Sequence, residues 1–291
     1  LILILLTKAE FFGELPSFDQ LENPKNNLDT EIISQDGVVL GKYFFENRSR
    51  VKHEEVPKEL INALVATEDV RFYEHSGIDA RALLRAIVGV LSGSSNTGGA
   101  STITQQLAKM LFTEQPSSGI QRVMQKLKEW VIAVQLEKHY TKDEIITMYL
   151  NRFDWVNNAV GVKSASKVYF NKKPNDLELW ESAVLVGMLK NPALYNPNRR
   201  IEITQKRRNV VLRQMNKYKF INDSLLDTTL NIPLVLDFKR ESHNEGLAPY
   251  LREVLRGYLK KWSAENFKPN GKKYNIYTDG LKIHTTINSK M

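Results

Sequence analysis

Apolar positions along this chain change period as it proceeds. Between Thr30 and Phe45, TEIISQDGVVLGKYFF holds two β-branched or aromatic runs separated by Gln35-Asp36-Gly37. That pattern predicts a small β unit over residues 30 to 46, a hairpin closed by a glycine-containing turn. From Val56 the spacing becomes helical. Leu60, Leu64 and Glu68 fall on one i, i+4 row behind Pro57, a residue suited to a first helical position. Most of residues 56 to 220 keeps this period. Asp79 stands where it can cap the helix ARALLRAIVGVL, the polar loop SGSSNTGGA follows, and STITQQLAKMLF predicts the next helix. Two further helical runs come after, QRVMQKLKEWVIAVQLEKHY and TKDEIITMYLN, with Thr141 and Glu144 at capping-box spacing where they meet. In the first of these, Val123, Leu127, Trp130, Val131 and Val134 predict the buried stripe, which puts Glu129 on the opposite face with Arg122 and Lys126 beside it. After Phe220 the pattern loosens. The terminal GLKIHTTINSKM alternates as a strand does and has no closing element, so the natural protein is expected to continue beyond it.

Composition narrows the class without naming it. With 291 residues, 42% hydrophobic and 25% charged, the chain is globular rather than disordered or fibrous. The net charge of +8 favours anionic partners such as nucleic acid, anionic lipid or phosphorylated substrates. Absence of cysteine excludes disulfides, thiolate metal sites and Cys nucleophiles. The opening LILILL is apolar but far short of the roughly 20 residues of a spanning helix. No signal-peptide cleavage pattern precedes FFGELPSFDQLENP, so the run reads as a membrane anchor cut short, with an apolar strand or ragged terminus as the alternative.

Three stretches carry candidate chemistry. Glu68 continues the row of Leu60 and Leu64, so partial desolvation would suit it to general acid or base work, while Asp69 points elsewhere; the structural alternative is a helix-end acid paired with Arg71. His75 is open to a hydrogen-bonding or a proton-shuttling role. Glu129, flanked by cations, suits transfer from a phosphate-bearing donor, or else an ordinary solvated helix face. Gly98 and Gly99 before Ser101, Thr102, Gln105, Gln106 and Lys109 could let a helix start receive an anion or sugar hydroxyls. The Lys and Ser/Thr of a nucleotide P-loop are not in place there.

Taken in order, these stretches resemble the motifs of the peptidoglycan glycosyltransferases, glycosyltransferase family 51, the polymerising module of class A penicillin-binding proteins. EDVRFYEHSG (68–77) resembles EDxxFxxHxG, GGASTITQQLAK (98–109) resembles GGSTIxQQ, and QKLKE (125–129) resembles RKxxE. KDEIITMYLN (142–151) and RRNVVL (207–212) are similar to the remaining two. The resemblance covers about residues 56 to 215. It implies that Glu68 is the general base for the acceptor sugar's 4-hydroxyl, and that Glu129 is a second catalytic glutamate near the donor pyrophosphate. It implies further that Lys109, Lys126 and Lys128 hold that pyrophosphate and that Gln105 and Gln106 bond sugar or peptide groups. Asp69, Phe72, His75, Ser101, Thr102 and Arg122 complete the implied substrate-binding set. Gln125 departs from the motif's Arg, removing a guanidinium that Arg122, one turn earlier, would replace.

The resemblance implies a mainly α, lysozyme-like glycosyltransferase domain with a small N-terminal β unit and a short α/β C-terminal linker. The expected organisation is an anchor remnant at 1–6, a juxtamembrane segment with the hairpin at 7–55, the glycosyltransferase domain at 56–220, and at 221–291 a linker toward a transpeptidase domain absent from this chain. SASK (164–167) and SRVK (49–52) match SxxK, but the SxN and KTG partners of penicillin-reactive serine enzymes are missing. The implied activity joins lipid II into β-1,4 glycan strands with inversion and release of undecaprenyl pyrophosphate, at the outer or periplasmic face of a single-pass bacterial membrane protein. Expected partners are lipid II, the growing lipid-linked strand and the membrane, with division or elongation proteins unspecified and nucleic acid excluded. No protein-built metal site is expected; Mg or Mn would come bound to the substrate's pyrophosphate. QLAKMLFTEQPSSGIQRVM (106–124) is a candidate for dipping into the headgroup layer, or KMLF is simply a core face. The alternatives are a lysozyme-like hydrolase and a basic nucleic-acid module.

Overall fold

The computed structural model describes residues 30–43, 51–92, 101–112, 119–239, 247–269, 271, 273–277 and 279–290. LILILL, the glycine-containing stretch Gly98-Gly99-Ala100 and residues 113–118 lie outside them. Among the described residues no helix is long and apolar enough to cross a membrane. The described residues form two compact units, one within 49–239, the other within 23–48 and 240–291.

The first unit is helical. Its elements are α1 (Lys58–Glu68), α2 (Ala80–Leu91), α3 (Ile103–Phe112), α4 (Gly119–His139), α5 (Lys142–Arg152), α6 (Val162–Phe170), α7 (Leu179–Leu189), α8 (Ile201–Lys217) and α9 (Asp223–Leu230). α7 explains the layout, because ten of its residues, Trp180 through Leu189, are all buried. A helix apolar on every side must be surrounded, and α1 and α8 pack against it. Leu60 and Leu64 of α1 are wholly buried in the same core as Ile103 and Leu107 of α3 and Leu185 of α7. Residues 221–239 also belong to this unit. Arg208 explains why: fully buried, it donates to the carbonyls of Leu230 and Ile232 and so ties α9 and the following turn to α8.

Caps fall where side-chain chemistry requires them. The Ala82 amide donates to Asp79 at 3.0 Å, and Thr141 and Glu144 form a reciprocal capping box on α5. Pro57 sits one position before α1 rather than inside it. Gly77 has φ +86, and a Cβ there would stand 2.8 Å from the Ala133 carbonyl oxygen, so the turn after α1 can lie against α4 only with glycine at this position.

The predicted stripe of α4 is misplaced. Val123 is 61% exposed, Leu127, Trp130 and Val134 are half-buried, and only Val131 of the five is fully buried. The buried face consists of Glu129, Ile132, Ala133 and Leu136, at spacings of 3, 4 and 7, roughly 140° around the helix from the expected one. Packing against α3 selected the face with small and aliphatic residues next to Gly77, against the longer apolar row. Met110, Leu111 and Phe112 of α3 pack against the core.

In the second unit, β1 (Thr30–Ile33) pairs antiparallel with β2 (Val39–Tyr43) through a turn at Gly37, and β3 (Lys282–His284) adds to β1 in parallel, giving the order β2-β1-β3. The hairpin therefore belongs with the C-terminal segment. Ile32, Leu40 and Tyr43 share a small core with Leu259 of α10 (Pro249–Glu265) and with Ile276.

Candidate active site

Glu68 is the last residue of α1, so its side chain extends the buried row into a less covered position and is 17% exposed. Gln106, on the second turn of α3, donates from Nε2 to Glu68 Oε2 at 3.1 Å. Tyr149 of α5 in turn donates to Gln106 Oε1 at 3.0 Å. Arg207 of α8 places Nη2 4.0 Å from Glu68 Oε1, and is held there by its bond to the Gly187 carbonyl and by stacking over Tyr195. Arg71, the expected structural partner of Glu68, turns instead to Asp79 and grips both its oxygens. Glu68 thus carries one neutral donor and one distant cation, and keeps an oxygen able to take a proton.

Behind it lies a second layer. Asp69 is buried and accepts from His75 Nε2 at 3.0 Å and from the Ile103 amide at 3.1 Å, which fixes the start of α3 relative to the end of α1. Phe72 is wholly buried, edge-on to His75, with the Lys142 ammonium 4.3 Å above its ring. Lys142 also donates to the His75 carbonyl and pairs with Glu137, which receives the Thr104 hydroxyl at 2.6 Å. Thr102 donates to the Gly77 carbonyl at 2.7 Å and accepts the Gln105 amide hydrogen, while the Gln105 side chain accepts from the Thr102 amide. Of the residues expected to bind substrate, Asp69, His75, Thr102 and Gln105 use polar atoms to hold the loop 69–77 and α3 together, and Phe72 fills the core beneath them. Ser101 is half-buried, and Lys109 is exposed.

Glu129 has a different setting. It is 2% exposed, not solvated, and both its oxygens are engaged by its own helix: Lys126 Nζ at 2.7 Å and Gln125 Nε2 at 3.3 Å. The amide of Gln125 thus occupies the place where the motif's arginine was missed, and Arg122, the expected substitute, is exposed. Lys128 is half-buried, and it is Lys126 that pairs with Glu129. Tyr149, Arg207, Lys142 and Glu137 were not foreseen as site residues. Tyr149 and Arg207 sit inside the two motifs quoted last, KDEIITMYLN and RRNVVL, and the signal was there: a tyrosine on the apolar row of Ile145 and Ile146 needs a buried hydrogen-bond partner. Among the described residues no group of three or more His, Asp or Glu forms a metal site.

A family model described as Transglycosylase matches residues 36–216. Penicillin-binding protein 1A of Vibrio cholerae serotype O1 is 37% identical over 298 residues, taking in 100% of this chain and 34% of that protein. Penicillin-binding protein 1A of Escherichia coli K12 is 35% identical over 295 residues, 99% of this chain and 33% of that protein. A crystal structure of Penicillin-Binding Protein 1A from Haemophilus influenzae aligns with 91% of this chain and 27% of its own, with a TM-score of 0.46 and 24% identity. The chain spans about a third of the length of the curated relatives it matches. The matched segment contains both glutamates, Gln106, Tyr149 and Arg207, and by that match the chain belongs to the transglycosylase family.

Proposed function

We propose that this chain is a peptidoglycan glycosyltransferase module that polymerises lipid II into β-1,4-linked glycan, inverting the anomeric centre. The observation that carries the reading is Glu68, a carboxylate at a helix end with one oxygen anchored by Gln106 and the other 4.0 Å from Arg207. In the proposed step the acceptor's 4-hydroxyl gives its proton to Glu68 as its oxygen bonds to the donor's anomeric carbon. The bond from that carbon to the polyprenyl pyrophosphate breaks, and the pyrophosphate leaves with the electron pair. Such a leaving group needs charge stabilisation more than a proton. Lys109, Lys126 and Lys128 are the assigned cations, with Glu129 setting the position of Lys126 through their 2.7 Å bond. A divalent cation, Mg or Mn, has its place on the substrate's pyrophosphate in this scheme. The polyprenyl tail sets the reaction at a bilayer, and the exposed Leu84, Val88 and Val123 on α2 and α4 supply apolar surface for it. This reading puts the module on the outer face of a bacterial membrane.

The test is polymerisation of fluorescent lipid II in vesicles by the parent, Glu68→Gln and Glu129→Gln. Expected are long strands from the parent and a loss of about 10² to 10⁴ in rate for Glu68→Gln with lipid II binding retained. A parent that makes no strands but shortens preformed glycan would replace this reading with the hydrolase.

A further inference from the structure

Gln106 stands between two groups and bonds both. Its carbonyl accepts from the Tyr149 phenol at 3.0 Å, and its amide nitrogen donates to Glu68 Oε2 at 3.1 Å. Tyr149 is wholly buried in the middle of α5 and stacks on Phe153. Burial pushes its phenol well above the ordinary value of 10, and the negative charge of Glu68 adds to this, so the hydroxyl stays a donor at any working pH. With the carbonyl end of Gln106 fixed by that donor, the amide end can only face the carboxylate. We propose that Tyr149 is a positioning residue for glycosyl transfer: acting through Gln106, it fixes Glu68 Oε2 and leaves Oε1 as the atom that takes the acceptor's proton. This rests on the general-base reading of Glu68 above.

Three features of the site bear on it. A glutamate side chain at a helix end has free torsions, and anchoring one oxygen removes the rotation that would trade Oε1 for Oε2. Hydrogen bonding to the ionised form favours that form, and a donor polarised by a further donor does so more strongly. The titratable and charged groups facing Glu68 are Arg207 from α8 and Tyr149 from α5, while its neighbour Asp69 is turned to His75 and the Ile103 amide. Arg207 at 4.0 Å lies beyond hydrogen-bond range, so Oε1 stays able to receive a hydroxyl.

Tyr149→Phe removes one oxygen and keeps the ring. Expected in the lipid II assay are a kcat about tenfold below the parent, a small part of what a general base supplies, and a KM within about twofold. Gln106→Met should give the same pattern, and the double variant should be no worse than the worse single, because both act on one chain of bonds. A Tyr149→Phe enzyme with the parent's kcat, one whose loss lies in KM instead, or a double variant whose losses multiply, overturns the proposal. Should Tyr149→Phe lose its helical circular dichroism, 2,3-difluorotyrosine at 149 keeps the ring and strengthens the donor. With the donor retained, kcat should stay within about twofold of the parent's, and a loss of about tenfold overturns the proposal. Glu68→Gln is assayed alongside. Full activity there rejects the general-base reading itself, whereas an inactive Glu68→Gln with an unaltered Tyr149→Phe rejects only the role of Tyr149.

Discussion

Helices α1 and α4 each bring a glutamate to the site, and they do it in opposite ways. In α1 the apolar row points inward and Glu68 is the place where it runs out of cover, so the side chain stays 17% exposed at the end of a buried line. In α4 the longer apolar row is only partly covered, and Glu129 lies in the fully buried face, held by Lys126 and Gln125. Periodicity fixes where a row lies on a helix. Which row is covered depends on the neighbour, and on α4 a charged residue was acceptable inside because its own helix supplied the donors.

The largest expected effect breaks the junction between the two helices. Gly77→Ala needs a Cβ 2.8 Å from the Ala133 carbonyl and a left-handed backbone, so unfolding free energy should fall by about 3 kcal/mol, read by denaturant titration. Next, Ile132→Ala on the observed buried face of α4 should cost about 2 to 3 kcal/mol, against less than about 0.5 kcal/mol for Val123→Ser on the exposed side. Equal costs would restore the stripe that the pattern suggested. The smallest effect concerns the loop that joins α1 to α2. Burial alone would raise the pKa of Asp79, but the Ala82 amide and Arg71 outweigh it and hold the carboxyl below its ordinary 3.8. A folded value below the unfolded one adds stability that is complete above the unfolded value and drains away as pH falls through it toward the folded one. Asp79→Asn should therefore lower stability by about 1 kcal/mol at neutral pH and flatten its loss between pH 5 and 3, measured by thermal melts across that range.

Much of this was legible beforehand. The Thr141 and Glu144 box, the Asp79 cap, the Gly37 turn and the inward row of α1 are local, set by residues within four positions of one another. Glu68, Gln106 and the Lys126 and Glu129 pair could be named because they sit in stretches that resemble the glycosyltransferase motifs. What could not be read depends on long sequence separation. Tyr149 meets Gln106 across 43 residues, Gln106 meets Glu68 across 38, and Arg207 reaches Glu68 from another helix altogether. Inward turning of Asp69, Phe72 and His75 is of the same kind, since their partners are the Ile103 amide and the Lys142 ammonium. A motif marks such residues as belonging to the site without saying whether they touch the substrate or hold the ones that do.

The three-stranded sheet carries a consequence for biosynthesis. Its central strand β1 leaves the ribosome well before β3, since Leu281 bonds to Thr30 across 251 residues and Ser289 to Asp36 across 253. At roughly 5 to 20 residues per second, β1 and β2 wait on the order of 10 to 50 s for the strand that completes them. All of residues 49–239 is translated in that interval. The hairpin is therefore a strand edge without its neighbour during synthesis, and the short length of β1, four residues, limits what else can pair with it meanwhile.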